Sequence, residues 1–285
     1  MKLFYTFILS FFLFFNLAYA IDDFNFDVTE AEISDDGNIF KGLKGGTATS
    51  KEGLIITAEN FEYNKALNIL NALGDVIIED KVNEQIIYAN KITYLKEDEK
   101  ILTKGKTKAI IDSNYNFLSS DVIFFRDKMI LISEKKSSIT DKSLNLYELD
   151  NFEYSIKQKI LKANNIIITT NYTKTKEQRD TYKFKTGFFN LESKNFTAQD
   201  TEISVKKNIF DNTDNDPRIK GVSSKKKDDI TRINKAIFTS CKKNDKCPPW
   251  SIKASEIAHD KKKKQLIYKD ALLKIYDIPV LYFPK

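Results

Sequence analysis

An all-β fold, built as an elongated stack of strand pairs, is what this 285-residue sequence predicts. Three observations carry that expectation. Ile, Val, Phe, Tyr and Thr come in short runs broken by Asn, Asp, Lys and Gly, the pattern of strands and turns. No stretch keeps a capped apolar stripe of helical period. A six-residue motif recurs about every 30 residues, the mark of a repeat architecture. The 21 Phe and 13 Tyr supply apolar material for a core, and nine Gly with five Pro exclude collagen-like or Pro/Gly-rich disordered chains.

The first element, residues 1–20, reads as a signal peptide and not as part of the fold. Lys2 gives a positive start, Leu3 to Leu17 is rich in Phe, Leu and Ile, and Ala18-Tyr19-Ala20 supplies a small-x-small cleavage pattern. The apolar run is shorter than the roughly 20 residues that span a bilayer as a helix. Export after cleavage at Ala20 is therefore expected.

Residues 21–205 hold the repeats. The motif is a small residue, two mostly polar residues, an apolar residue, any residue, then an aromatic. It appears as Ala58-Glu59-Asn60-Phe61-Glu62-Tyr63, as Ala89-Asn90-Lys91-Ile92-Thr93-Tyr94 and as Ser119-Ser120-Asp121-Val122-Ile123-Phe124. A weaker copy is Leu149-Asp150-Asn151-Phe152-Glu153-Tyr154, and degenerate copies start at Ala163 and Ala254. Between copies lies a second strand opened by Gly74 or Gly105. A lone hairpin is marginal in water, so neighbouring repeats must stack around a shared interior. The small and the apolar residue stand three apart, which puts them on opposite faces of a flat strand. If both face inward, the strand bends between them and serves two facing sheets. Phe61, Tyr63, Ile92, Tyr94, Val122, Phe124, Phe152 and Tyr154 are the residues expected to line the interior.

Residues 206–231 are poor in apolar side chains and carry Asp211 to Pro217 and Lys225 to Asp229, which predicts a long exposed loop. Residues 232–285 complete the stack, with a four-lysine turn at Lys261 to Lys264. Both charge runs are expected to be solvated. Cys241 and Cys247 flank a short polar loop, and in an oxidising compartment they are expected to form a local disulfide worth about 2 kcal/mol. A metal site there would need two further ligands, and the single His259 does not supply them. His259 with Asp260 reads as a turn or strand-edge feature and not as a base.

Charge narrows the functions further. The net charge of +6 balances 46 basic against 40 acidic residues, so it describes a salted surface. Only Arg126, Arg179, Arg218 and Arg232 are arginines, which argues against a nucleic-acid reader. A carbohydrate enzyme would need clustered carboxylates in a cleft. Here the acids are dispersed, and pairs such as Asp35-Asp36 and Asp228-Asp229 sit in turn-like segments. No catalytic residue and no cofactor is expected.

The tail makes the reading more specific. It runs Thr239-Ser240-Cys241, Cys247-Pro248-Pro249-Trp250-Ser251-Ile252-Lys253-Ala254, His259-Asp260, Ile267-Tyr268-Lys269-Asp270-Ala271 and Ile278-Pro279-Val280-Leu281-Tyr282-Phe283-Pro284. This resembles the junction between periplasmic domain and barrel in the LptD, or organic-solvent-tolerance, family of LPS-assembly proteins. The upstream repeats resemble the OstA-type β-jellyroll of the periplasmic bridge proteins LptA and LptC.

The resemblance implies an open, solenoid-like jellyroll with an apolar groove that receives lipopolysaccharide. The implied partners are a bridge protein in edge-to-edge contact and, where a barrel is present, an outer-membrane LPS-assembly lipoprotein. The implied place is the periplasm, in association with the outer membrane. It also implies a following barrel. Because Lys, Glu and Asp recur on both strand parities, no barrel is expected within these residues, and the chain is expected to be the periplasmic part of a longer protein. In such a family a cysteine of this domain can instead pair with one in the barrel. The alternatives are a stand-alone jellyroll of the bridge type and an interaction module without ligand.

Overall fold

A computed structural model describes residues 23–207, 215–242 and 248–284. The signal peptide and Cys247 therefore lie outside the described residues. The described residues form 22 antiparallel strands of one continuous sheet, from Phe24–Ser34 to Ile278–Phe283. A short turn of 3-10 helix lies at Lys176–Gln178.

The sheet is folded on itself. Long strands change pairing partner part-way along, so each contributes to two walls. Strand Ile69–Asp80 shows the arrangement: residues 69–73 pair with 60–64, whereas 77–80 pair with 54–57. On its other side the register shifts between Leu73 and Val76 against strand Gln85–Leu95, and that strand shifts between Ala89 and Lys91 against the next. Wall I is thus built from segments such as 24–28, 46–50, 54–58, 76–80, 85–89, 107–111 and 137–141. Wall II is built from 30–34, 39–43, 60–64, 69–73, 91–95, 100–104 and 151–155. The walls meet along a seam of bends. Their far edges, where the hairpin turns lie, face each other across a mouth.

The motif's broken parity is this seam. Ala89 and Ile92 are both buried while Asn90 and Lys91 between them are exposed. Ala58 with Phe61, Leu149 with Phe152, Ala163 with Ile166 and Ala254 with Ile257 are likewise both buried, with less buried residues between them. At alternate crossings the bend uses a left-handed residue: Asp75, Asp121, Asn165, Asp200, Lys235 and Asp270 have φ between 40° and 51°. Asn and Asp tolerate that region better than other residues with a Cβ, which is why they punctuate the strands there.

The small residue of the motif has a steric cause. Near the vertex the walls converge, and only short side chains fit. Gly221 shows the limit: a Cβ there would lie 2.3 Å from Ile233 Cγ2 and 2.9 Å from the Asn234 carbonyl. Hydroxyls at the vertex satisfy one another, with Thr103 to Thr107, Ser119 to Ser137 and Thr201 to Ser224 each at 2.7 Å. Unpartnered, these buried groups would each cost roughly 1–3 kcal/mol.

Two expectations require correction. Residues 206–231 are not one exposed loop: Arg218–Lys227 is a ten-residue strand, paired on both sides, with Ile219 and Ser224 buried. The following strand begins at Ile230, ahead of the expected boundary at 232. This strand's vertex positions are Gly221 and Ser224 and its outward ones largely lysine, so it carries little apolar signal, and its neighbours supply the pairing that its composition hides. Residues 208–214 lie outside the described residues. Nor is His259 a turn or edge feature. It sits within strand Trp250–Asp260, 5% exposed, opposite Thr231 on one side and Leu266 on the other.

Candidate functional site

The interior between the walls is continuous, and a single buried apolar cluster runs from Phe24 to Ala271. All eight residues expected to line it are buried, at 3% exposure or less. All eight also lie on wall II or where it meets the seam. The motif straddles the bend and continues into that wall, so it reports only one side of the interior. Wall I supplies the facing side through Phe24, Ile56, Ile78, Ile87, Phe117 and Tyr147. Their signal in the sequence is the plain alternation of 76–80, 85–89 and 107–111, which points inward once the bend is known.

Aromatic rings meet across the walls. Phe24 lies 5.2 Å from the Tyr63 ring and 5.7 Å from that of Tyr94, both edge-on. Phe117 lies 5.6 Å from Phe152 and 5.0 Å from Tyr154, and Phe184 lies 5.1 Å from Phe196. Each such pair contributes about 0.5–1.5 kcal/mol beyond its buried area. The expected trough is therefore filled by its own side chains, and the walls must part to admit a guest.

Among the described residues, side-chain contacts and not backbone pairing close the long side. Along the mouth, a donor on a wall II hairpin reaches an acid on a wall I hairpin. Asn68 Nδ2 donates to Asp23 Oδ2 at 2.5 Å. Lys96 Nζ meets Glu52 at 3.2 Å, and Arg126 meets Asp80 at 3.7 Å. Lys159 pairs with Asp112, Lys194 Nζ with Asp141 Oδ2 at 2.6 Å, and Lys261 Nζ with Asp180 at 3.1 Å. In each of these crossing ion pairs the cation stands on wall II and the carboxylate on wall I, while Glu99 on wall II also binds Lys96 and Arg126 from their own side.

The protonation states follow from this row. Burial works against the charge on Lys96, yet the hydrogen bonds it donates to Glu99 and Glu52 hold its pKa above the ordinary lysine value. Tyr94 is pushed up to about 12, chiefly by burial; its hydroxyl donates to Glu99 at 2.8 Å and accepts from Arg126 at 2.9 Å. Burial pushes the Asp141 pKa up, but hydrogen bonds from Lys194 and Asn145 outweigh it and hold the group below its ordinary value. His259 is pushed down by burial and by Lys261, so it stays neutral at pH 7. Its Nδ1, Gln85 Oε1, Arg126 Nε and Tyr154 Oη are buried near this mouth without a hydrogen-bond partner among the described residues.

Two cavities bear on ligands. A groove of about 1000 Å³ lies against wall I beside the seam, among Tyr88, Lys108, Leu118 and Glu148. Those side chains point away from the core and mix both charges. A smaller cavity of about 180 Å³ lies in the mouth itself, between Tyr182 on wall I and Phe189, Phe196, Lys194, Lys226 and Lys261 on wall II.

Cys241 is half-buried, its Sγ 3.7 Å from the Trp250 carbonyl, and its pairing with Cys247 is an expectation only. In the lysine turn, Lys261 is drawn into the mouth row, where its ammonium lies 5.5 Å from the Tyr182 ring centroid, while Lys262 to Lys264 are exposed. Among the described residues no group of three or more His, Cys, Asp and Glu is placed to hold a metal ion, and no helix is long and apolar enough to cross a membrane.

No protein family matches the sequence, and no curated protein matches it. Among solved structures the chain is similar to the crystal structure of LptH, the LptA-homologous periplasmic component of the conserved lipopolysaccharide transport device from Pseudomonas aeruginosa. The match is 14% identical, covers 50% of this chain and 85% of that one, and has a TM-score of 0.32.

Proposed function

We propose that this chain is a periplasmic lipid-conducting domain of lipopolysaccharide transport. One observation carries the reading: a continuous apolar interior is enclosed by backbone pairing on its walls but, among the described residues, by side-chain pairs along its mouth. Such a stack can open lengthwise without breaking a strand. The energies allow it. The pairs of this row are partly to largely buried, as in Arg126–Asp80 and Lys194–Asp141, and a charged hydrogen bond of that kind is worth about 1.5–3 kcal/mol. A 12-carbon acyl chain moved from water into the interior gains roughly 10 kcal/mol, at about 0.8 per methylene. Burial of one chain therefore outweighs the few pairs that must separate beside it. The sugars stay in water outside the mouth, and no bond is made or broken.

The ends of the stack support transfer between proteins. Strand Phe24–Ser34 pairs only with Ile39–Ser50, and Ile278–Phe283 only with Ala271–Ile275, among the described residues. All six residues of Ile278–Phe283 are exposed, five of them large and apolar. A free edge of that kind accepts another strand. In the proposed reading a bridge protein pairs at the first edge, and the barrel domain of a longer protein continues from the second, where its outer-membrane lipoprotein partner would join. The tail motif favours this over a stand-alone bridge protein. The reading also requires the signal at residues 1–20 and a periplasmic location at the outer membrane.

The test is photo-crosslinking in cells. A crosslinker at Phe61, Ile92 or Phe124 should capture lipopolysaccharide, and one at Glu62, Thr93 or Ile123 should capture little. Equal capture at both sets in a folded protein would mean that the interior is a closed core, and the lipid path would be abandoned.

A further inference from the structure

The mouth row has one irregular position. Cations stand on successive wall II hairpins at Lys96, Arg126, Lys159, Lys194, Lys226 and Lys261. Five of the six bind a carboxylate of the facing wall. Lys226 does not. Its Nζ donates to the Lys194 carbonyl at 3.0 Å, and no carboxylate forms an ion pair with it among the described residues. Asp228 and Asp229, on its own turn, are exposed. Where the carboxylate would stand, the mouth instead holds the cavity of about 180 Å³, walled by Tyr182, Phe189 and Phe196. Lys194 and Lys261 border the same cavity, each matched by one acid, Asp141 and Asp180. Three lysines thus converge on one aromatic cleft; Asp141 and Asp180 are taken by two of them, and Asp228 and Asp229 act on Lys226 only from the exposed turn. Burial, Lys261 and Lys194 weaken the hold of Lys226 on its proton and outweigh the opposing pull of Asp229 and Asp228, so an anion in the cavity would relieve part of the cost of that charge.

We propose that this gap in the row, centred on Lys226, is a binding site for the phosphate monoester headgroup of an amphiphile, whose alkyl tail enters the cleft between the walls. A phosphate accepts from ammonium donors in several directions, which suits three lysines that cannot offer the planar fork of arginine. The rings lining the cavity take the first carbons of the tail. The site rests on the lipid-conducting reading only for the tail's onward path, since headgroup capture needs nothing beyond the cavity.

Binding of dodecyl phosphate, inorganic phosphate and dodecyl maltoside to the full chain tests it by calorimetry below the micellar concentration. Dodecyl phosphate should bind saturably, and Lys226→Met should weaken it by about tenfold or more, the worth of one charge-assisted hydrogen bond. Lys226→Arg should retain most of the affinity. Lys226→Met removes a half-buried charge and keeps the apolar stem, so its melting temperature should not fall; circular dichroism checks that the strands persist.

Unchanged affinity in a folded Lys226→Met protein would overturn the site. Equal binding of dodecyl maltoside would show that the charge is irrelevant, and equal binding of inorganic phosphate would show a free-phosphate site; either result refutes the amphiphile. The two readings separate cleanly. Lysine-dependent binding of dodecyl phosphate without interior crosslinks to lipopolysaccharide keeps this site and removes the channel. Interior crosslinks with no such binding do the reverse.

Discussion

Asp141 is the sharpest place to test the mouth row. Its side chain is 3% exposed and accepts from Lys194 Nζ at 2.6 Å, from the Asn145 backbone N–H at 2.9 Å and from Asn145 Nδ2. Asp141→Asn keeps the shape, removes the charge and turns one acceptor into a donor that faces other donors. A hydrogen bond to a charged group is worth about 1.5–3 kcal/mol. Lys194 is 31% exposed and can turn partly to water, so the loss belongs at the lower end, about 2 kcal/mol. For a chain of this size that is a fall of roughly 4–8 °C in melting temperature.

The pH dependence has a definite sign. The carboxyl is held below its ordinary value of 3.8, so its contribution is complete above that pH and is lost as pH falls through the depressed folded value. Urea melts of both proteins should differ at pH 7 and converge on acidification below pH 3.8. Equal stability at pH 7, or a gap that persists in strong acid, would refute the ion pair as the source. In a double-mutant cycle with Lys194→Met, about 1–2 kcal/mol of coupling is expected, and additivity would place the cost elsewhere.

Three other substitutions probe the seam and the interior. Gly221→Ala should lower stability by about 1–3 kcal/mol, because its Cβ meets Ile233 and the Asn234 carbonyl; a denaturation midpoint equal to the parent's would contradict the convergent vertex. Lys235 bends the strand at φ 46°, so Lys235→Gly should stabilise by about 0.5–1 kcal/mol and Lys235→Val should destabilise by about 1–2, read by urea melts; the opposite order would deny the left-handed bend. Tyr154→Phe deletes a buried hydroxyl that has no partner among the described residues. It should be neutral or stabilising by up to about 1 kcal/mol in thermal melts, and a marked loss would reveal a bond there.

The repeat and its bend were legible in the sequence because both follow from local rules. A buried small residue three positions before a buried apolar one contradicts strand parity, and a bend resolves the contradiction. Ala89 with Ile92 and Ala58 with Phe61 behave in this way. The all-β class followed from alternation alone. Strand Arg218–Lys227 escaped detection because its vertex positions are Gly221 and Ser224, and small residues carry no hydrophobic signal. Half of the interior escaped because the motif lies on one wall, and facing residues such as Phe117 and Tyr154 meet only through the stacking of separate repeats.

The mouth was invisible for a related reason. Asn68 with Asp23, Lys159 with Asp112 and Lys194 with Asp141 stand 45, 47 and 53 residues apart in the chain, and nothing local marks one lysine among so many as the partner of a given acid. Local chemistry thus determined where the chain turns, bends and points its apolar side. Only the folding of one sheet onto itself decided which charges face each other across the mouth and where that row leaves a lysine beside an aromatic cavity, because those distances belong to the walls and not to the sequence.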